Sequence, residues 1–160
     1  MTSPVTTDSV WQALCSHNFA VLSWVTPAGE ARSTGIVYLV KNRKLIIGAE
    51  STSWKVRHIR ANPHVSMTMV SKRRIIFLPW IPLPDATIAF HGRARVIEPA
   101  DIDQKILQEL EKGMAPDPER KANTCFIEVT AEGDFLTYGI GVPATAMGDP
   151  HKAMGRVAVG

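Results

Sequence analysis

The sequence predicts an antiparallel β-barrel flanked by short helices, a mainly β fold of the α+β kind. Three observations carry this expectation. Apolar segments of strand length follow one another along the chain, joined by hairpin-like turns and interrupted only by short helical stretches. The strand–helix alternation that builds a doubly wound parallel sheet is missing. The 160 residues fit one domain able to bury a real core, and no repeat, low-complexity tract or linker divides them.

The elements follow in order. Thr7 to His17 reads as a short helix, because Asp8 and Ser9 offer capping oxygens and Val10, Trp11, Leu14 and Cys15 recur at helical spacing. FAVLSWV (19–25) is too short and too β-branched for a helix, and it leads into the turn TPAGE. ARSTGIVYLV (31–40) is apolar on both parities over its second half, which predicts a central strand covered on both faces. KNRK (41–44) reads as a hairpin turn, since Asn42 tolerates positive φ, and LIIGA (45–49) returns as the third strand. A loop and a helix of about two turns come next, closed by the ANP turn at 61–63, because helices usually stop before the residue preceding proline.

HVSMTMV (64–70) alternates as a strand should. Residues 71–99 read as a long hairpin with apolar arms at Ile75 to Leu78 and Ala86 to Val96 and a proline-rich tip, PWIPLP. Ala100 to Lys112 is amphipathic, with Ile102, Ile106, Leu107 and Leu110 on one side. After the polar loop GMAPDPERKAN come two short strands, CFIEV (125–129) and DFLTY (134–138), and then a tail over 139–160 that reads as irregular.

Composition narrows the function. With 45% hydrophobic and 21% charged residues this is an ordinary globular chain, and no apolar run is long enough to span a bilayer. The start, MTSPVTTDSVWQAL, lacks the basic and apolar regions of a secretory signal, so a cytoplasmic location is expected. Cys15 and Cys125 match no zinc or redox spacing and read as small buried apolar residues in a reducing compartment. The net charge of +3 is compatible with an anionic ligand and too small to announce a nucleic-acid protein. No phosphate loop, nucleophile elbow or zinc-protease helix occurs. The five histidines, at 17, 58, 64, 91 and 151, assemble no metal-ligand set by spacing, so no metal is expected.

The stretch GAESTSWKVRHIRANPHV (48–65) is the most informative. It places Lys55 and Arg57 in the first turn of a helix, where the macrodipole disfavours cations by up to about 1 kcal/mol. Two readings stand. Ser53 simply caps the helix and the bases are solvated. Alternatively, a phosphate occupies the helix N-terminus, accepting from free N–H groups and from the hydroxyls of Ser51, Thr52 and Ser53, while Lys55 and Arg57 neutralise it.

With these residues in view, FAVLSWVTPAGEARSTGIVYLV followed by KLIIGAESTSWKVRHIRANPHVSM resembles the pyridoxamine 5'-phosphate oxidase-like superfamily of split-barrel flavoproteins. Its members share a strand, a Gly-containing turn, a strand of small and apolar residues and a third strand ending in small or hydroxyl residues. A short helix with a base near its start and an N-P turn follow. The resemblance is specific over about residues 18 to 70 and looser to about 138.

It implies a split β-barrel that forms a homodimer, with FMN or the deazaflavin coenzyme F-420 in a groove between subunits. By position, Ser33, Gly35, Ile36 and Val37 would lie along the isoalloxazine ring, and Ala49, Glu50 and Ser51 would line the ring edge and ribityl chain. Ser53, Trp54 and Lys55 would hold the phosphate, with Arg32 and Arg57 as further phosphate or tail contacts. His58 stands where many relatives carry Asn. The implied activity is hydride transfer to or from a small conjugated substrate.

The ending HKAMGRVAVG departs from the Arg-containing peptide of the vitamin B6 oxidases, which argues against pyridoxamine phosphate as substrate. Trp80, between prolines, reads either as a wall or lid over the ring or as a self-packed surface loop. Lys72, Arg73 and Arg74 either attract the acidic tail of the deazaflavin or are solvated. No acid or base stands out, so no catalytic residue is named; Tyr38 is a donor only if it faces the groove. A carrier or sensor without turnover is one alternative. Another is a small-barrel binder of single-stranded nucleic acid using Trp24, Tyr38 and Trp80 as stacking platforms. The sparse aromatics, 7% of the chain, weigh against the second.

Overall fold

A computed structural model describes residues 5–72, 80, 82–112 and 118–160, the side chain of Arg120 excepted. The expected arm Ile75 to Leu78, the bases Arg73 and Arg74, part of the PWIPLP tip and the loop over 113–117 lie outside the described residues. In chain order the elements are α1 (Thr7–Cys15), β1 (Phe19–Val25), β2 (Ala31–Val37), β3 (Leu39–Lys41), β4 (Lys44–Glu50), α2 (Trp54–Ala61) and β5 (His64–Ser71). They continue with β6 (Ala86–Ile97), α3 (Gln104–Glu111), α4 (Pro118–Ala122), β7 (Thr124–Tyr138), α5 (Pro150–Ala153) and β8 (Met154–Ala158).

The strands form one antiparallel sheet in the order β2-β1-β5-β6-β7-β4-β3, with β8 added to β7. The two ends of that order, β2 and β3, are consecutive in the chain and meet at Tyr38, so the sheet curls back on itself. No ladder joins β2 to β4 among the described residues, and this leaves the barrel split along β2. The expected antiparallel split barrel with short flanking helices is therefore the fold.

Local chemistry explains most boundaries. Thr6, rather than Asp8, caps α1: its Oγ1 accepts from Ser9 N–H, and Ser9 Oγ accepts from Thr6 N–H in return. Asn42 and Arg43 both take positive φ (50° and 57°), the turn that fits the twist of a two-residue hairpin. Asn62 ends α2 and its Oδ1 accepts from His64 N–H, turning the chain into β5.

Several expectations need correction. The run over 31–40 is two strands broken at Tyr38, and β2 is an edge strand with most side chains exposed. The strand covered on both faces is β4. Leu45 and Ile47 enter the barrel core, while Ile46 packs outside with Phe126 and Ile102 beneath the apolar side of α3. Sequence parity cannot say which of two neighbouring apolar strands a later helix will cover. Residues 125–129 and 134–138 belong to one bent strand, β7, whose first half pairs with β4 and whose last five residues pair with β8. The bend is a register shift against β6 near Gly133. On one side β6 pairs with β5, from Ser71 opposite Ala86 to His64 opposite Arg93, and on the other with β7. The tail is not irregular: it forms α5 and β8, and Trp11 Nε1–H and Thr7 Oγ1–H of α1 donate to the carbonyls of Val159 and Ala158. Cys15 is exposed, because the apolar stripe of α1 ends at Leu14, whereas Cys125 is buried as expected.

One core cluster fills the barrel and takes in Val10, Trp11 and Leu14 of α1 and Val56 and Ile59 of α2. Close approach explains Gly92, where a Cβ would stand 2.1 Å from the Thr130 carbonyl oxygen across the β6–β7 ladder. Thr137 is buried, and its Oγ1 has no hydrogen-bond partner among the described residues. Removing an unsatisfied buried hydroxyl at constant shape is expected to stabilise by about 1 kcal/mol. Thr137→Val should therefore raise the denaturant midpoint, and a fall would show that the hydroxyl is satisfied in solution.

Candidate functional site

The segment from the end of β4 to the first turn of α2 is built to leave donors open. Glu50 ends β4 on the exposed side and its carboxylate accepts from Thr52 Oγ1 at 2.9 Å. Ser51 N–H donates to the Asn123 carbonyl at 2.7 Å, tying the loop to the start of β7. Ser53 is the N-cap, extended at φ −64° and ψ 147°, and its Oγ accepts from Val56 N–H at 3.4 Å. The first intrahelical bond runs from Arg57 N–H to the Ser53 carbonyl. The N–H groups of Trp54 and Lys55 therefore precede the helical ladder and have no intrahelical acceptor.

No acidic residue stands in this first turn. Lys55 is half-buried, and among the described residues it has no ion-pair or hydrogen-bond partner. Burial pushes the Lys55 ammonium below its usual range, an effect partly opposed by the nearby Cys125 sulfur. A desolvated cation beside open N–H groups at a positive dipole end is unfavourable until an anion arrives. Arg57 behaves differently: its guanidinium stacks 3.9 Å from the centre of the exposed Trp54 ring. Arg32 pairs with Glu30.

The remaining expected positions separate by face. On β2, Ser33, Gly35 and Val37 are exposed on the outer side, while Ile36 points into the core, as does Ala49 on β4. A Cβ at Gly35 would stand 2.7 Å from the tip of the exposed Phe19 ring, which would have to swing aside. Trp80 is exposed at 73%, but with its neighbours undescribed nothing places it against the site. Tyr38 does not face a groove: it is buried and donates from its hydroxyl to the Leu14 carbonyl at 2.9 Å, and burial pushes its phenol up. Since Tyr38 and Trp24 are both buried, two of the three aromatic platforms of a strand-binding barrel are unavailable for stacking.

Sequence reasoning missed the opening beside α2. The β1–β2 turn, closed by Gly29 at φ +80° and by Thr26 Oγ1 accepting from Glu30 N–H, stands apart from the helix. Between them lies an open cleft of about 540 Å³, lined by Trp24, Thr26, Pro27, Ala28, Glu30, Arg32, Trp54 and His58. His58 is held by Trp24, whose Nε1–H donates to His58 Nδ1 at 3.0 Å. The pairing of Trp24 with Arg32 across β1 and β2 is the one local signal for this grouping, and it follows from hairpin register. Among the described residues no cluster of His, Cys, Asp or Glu could hold a metal ion.

Comparison with known proteins identifies the family and the fold. The sequence profile of the family described as pyridoxamine 5'-phosphate oxidase matches residues 6–136. Among solved structures, an F420 reductase is 18% identical, with a TM-score of 0.57 over 78% of this chain and 94% of that one. A FAD-binding protein from Mesorhizobium loti is 16% identical, with a TM-score of 0.57 over 76% and 86% of the two chains. A heme-binding protein from Mycobacterium smegmatis is 12% identical, with a TM-score of 0.68 over 99% of this chain and 60% of that one. No curated protein matches the chain. At these identities the structural likenesses speak for the fold.

Proposed function

The chain belongs to the pyridoxamine 5'-phosphate oxidase family, and on that premise we propose that it is a flavin-dependent oxidoreductase. It would bind FMN, or the deazaflavin coenzyme F-420, and pass hydride to or from a small conjugated substrate. The observation that carries this reading is Lys55, a half-buried ammonium without a partner among the described residues, at a helix start whose N–H groups are open. That arrangement fits a phosphate monoester. Ser53, the Trp54 and Lys55 N–H groups and the Lys55 ammonium would hold it, with Arg32 and Arg57 available once they leave Glu30 and Trp54.

The outward positions of β2, at Ser33, Gly35 and Val37, would line the ring, with the Phe19 ring lying against Gly35. Ile36 and Ala49 could contribute only backbone. A flavin supplies the hydride chemistry, and the protein orients it and excludes water. The tail forms α5 and β8, and its Arg156 pairs with Asp134 across β8 and β7.

The same outer sheet face supports a homodimer. Val37, Phe19 and Val70 are neighbours on β2, β1 and β5 and are 61%, 57% and 44% exposed. Met154 and Leu136 are also exposed, further along the sheet on β8 and β7 beyond β6. Contiguous apolar surface of this kind marks an interaction site, and a second copy would close the groove along β2.

Titration with FMN and, separately, with F-420, followed by ligand fluorescence, should give saturable binding of at least one. Sedimentation of the same sample should give twice the 17.5 kDa chain mass. Binding of neither ligand would sink the flavin reading, and a monomer would sink the interface. A turnover assay with a reductant and an acceptor separates an oxidoreductase from a carrier.

A further inference from the structure

The outer face of the sheet carries one unbroken polar row. Ser33 on β2 stands opposite Ser23 on β1, and Ser23 opposite Ser66 on β5. Ser66 in turn stands opposite His91 on β6, and His91 opposite Glu132 on β7. All five lie on the side away from the core cluster. Side chains directly opposite across antiparallel strands have Cβ atoms about 4.5–5.5 Å apart, a span that two hydroxyls bridge directly or through one water. Ser66 donates to the Phe90 carbonyl at 3.2 Å, which keeps it beside His91 and leaves its oxygen free to accept. Ser23, Ser33 and the His91 ring have no side-chain hydrogen bond of their own among the described residues.

His91 has a built seat. Between the His91–Glu132 and Ala89–Leu136 pairs, β6 has Phe90 alone, whereas β7 has Gly133, Asp134 and Phe135. Gly133 takes φ +70°, and a Cβ there would stand 2.9 Å from His91 Cε1. The bulge thus opens the place in which the imidazole lies, and bulges re-aim side chains next to functional sites. Arg93 pairs with Glu132, Arg95 with Glu128 and Arg156 with Asp134, while β1 and β2 carry no charged group on this face. His64 on β5 stands opposite Arg93, outside the row. His91 is the one histidine in the row, and histidine is the side chain suited to taking up and releasing protons near neutral pH.

Further along the same face lie the apolar Val37, Phe19 and Val70. A second copy seated there would shut bulk water out and leave the row as a polar path through the contact. We propose that Ser33, Ser23, Ser66 and His91 form a proton relay between solvent and the ring along β2, with His91 as its outer end. The inference rests on the flavin and homodimer readings above and adds to them the route of the proton. Hydride passing to a conjugated carbonyl substrate carries two electrons and one proton, and full reduction of that substrate needs a second proton. His91 gives that proton to Ser66, each serine accepts one and passes on its own, Ser33 delivers the last, and solvent reprotonates His91. Substrate oxidation runs the same row backward.

Photoreduction of the bound ligand, with EDTA as electron donor, tests the relay without a substrate. Two electrons entering the ring draw in at least one proton, which a pH-indicator dye records. With FMN or F-420, whichever binds, His91→Ala and Ser23→Ala should each slow that uptake about tenfold or more and leave ligand affinity unchanged. Added imidazole should restore the rate in His91→Ala and not in Ser23→Ala. His64→Ala, on the same face and outside the row, should leave the rate unchanged. In the ligand-free chain, Ser66→Ala should shift the His91 imidazole nitrogen resonances.

Uptake in His91→Ala and Ser23→Ala as fast as in the unmodified chain would overturn the relay and leave the flavin reading standing. Equal slowing in His64→Ala, or unmoved His91 resonances, would do the same. A monomer in sedimentation would also overturn it, since the row would then stand open to water. Binding of neither ligand would end the flavin reading and the relay together.

Discussion

Lys55→Met is expected to weaken binding of the phosphorylated flavin by about 10- to 100-fold, the range for losing one hydrogen bond to a charged group. Thermal stability without ligand should be unchanged or slightly higher. Met keeps the apolar stem against the start of α2 and removes an ammonium that burial already destabilises. This separation of binding from stability is what distinguishes an anion site from a structural lysine. Unchanged affinity, or a loss of stability matching the loss of binding, would place Lys55 in the fold rather than in the site.

The pH dependence has a definite sign. Burial lowers the Lys55 pKa in the folded chain relative to the usual 10.5, so between those two values the unfolded chain binds more protons. Stability of the ligand-free protein should therefore gain from this group as pH rises through the lowered pKa, and the gain is complete above 10.5. Ligand affinity should move the other way, falling over the same alkaline window as the ammonium is lost. Lys55→Met should flatten both trends. Parallel titrations and melts across that window read this out.

Phe135→Ala is expected to cost about 3–5 kcal/mol, the largest effect on stability at any single position considered. Phe135 is fully buried, and its ring meets Trp11 at 5.3 Å and Phe90 at 5.4 Å, both edge-on at 85°. It thereby joins α1, β6 and β7, three elements distant in sequence. Against a net stability of roughly 5–15 kcal/mol, the variant stands near the edge of folding. Denaturant unfolding measures it, and Phe135→Leu should lose distinctly less by retaining part of the volume. A loss under about 1 kcal/mol for Phe135→Ala would mean that the core collapses around the gap, contrary to the usual cavity behaviour.

Local patterns carried much of the architecture. Helical spacing in α1, the NR turn, the alternation of β5 and the proline after Asn62 each act within a few residues, and the backbone obeys them directly. The α2 segment was legible for the same reason: a cation in the first turn of a helix conflicts with the dipole, and that conflict is local. The structure sharpens it by separating Arg57, stacked on Trp54, from Lys55, which is left without a partner among the described residues.

What failed was long-range. An apolar strand can be buried by the barrel, by a helix arriving sixty residues later, or by nothing within the chain, and β4 and β2 exchanged those roles. The tail became a strand because β7 extends past β4 and leaves an edge for β8 to pair, a vacancy that residues 154–158 do not encode by themselves. The sequence by itself determined an antiparallel barrel and a helix start carrying two bases in its first turn, because turn chemistry, periodicity and dipole conflicts are properties of neighbouring residues. Only the tertiary structure decided that Tyr38 is buried, that the barrel is split along β2, and that Trp24, His58 and Trp54 meet the β1–β2 turn around one cleft. Those facts depend on which strands pair and which surfaces remain uncovered, and no residue carries that information until the chain has closed.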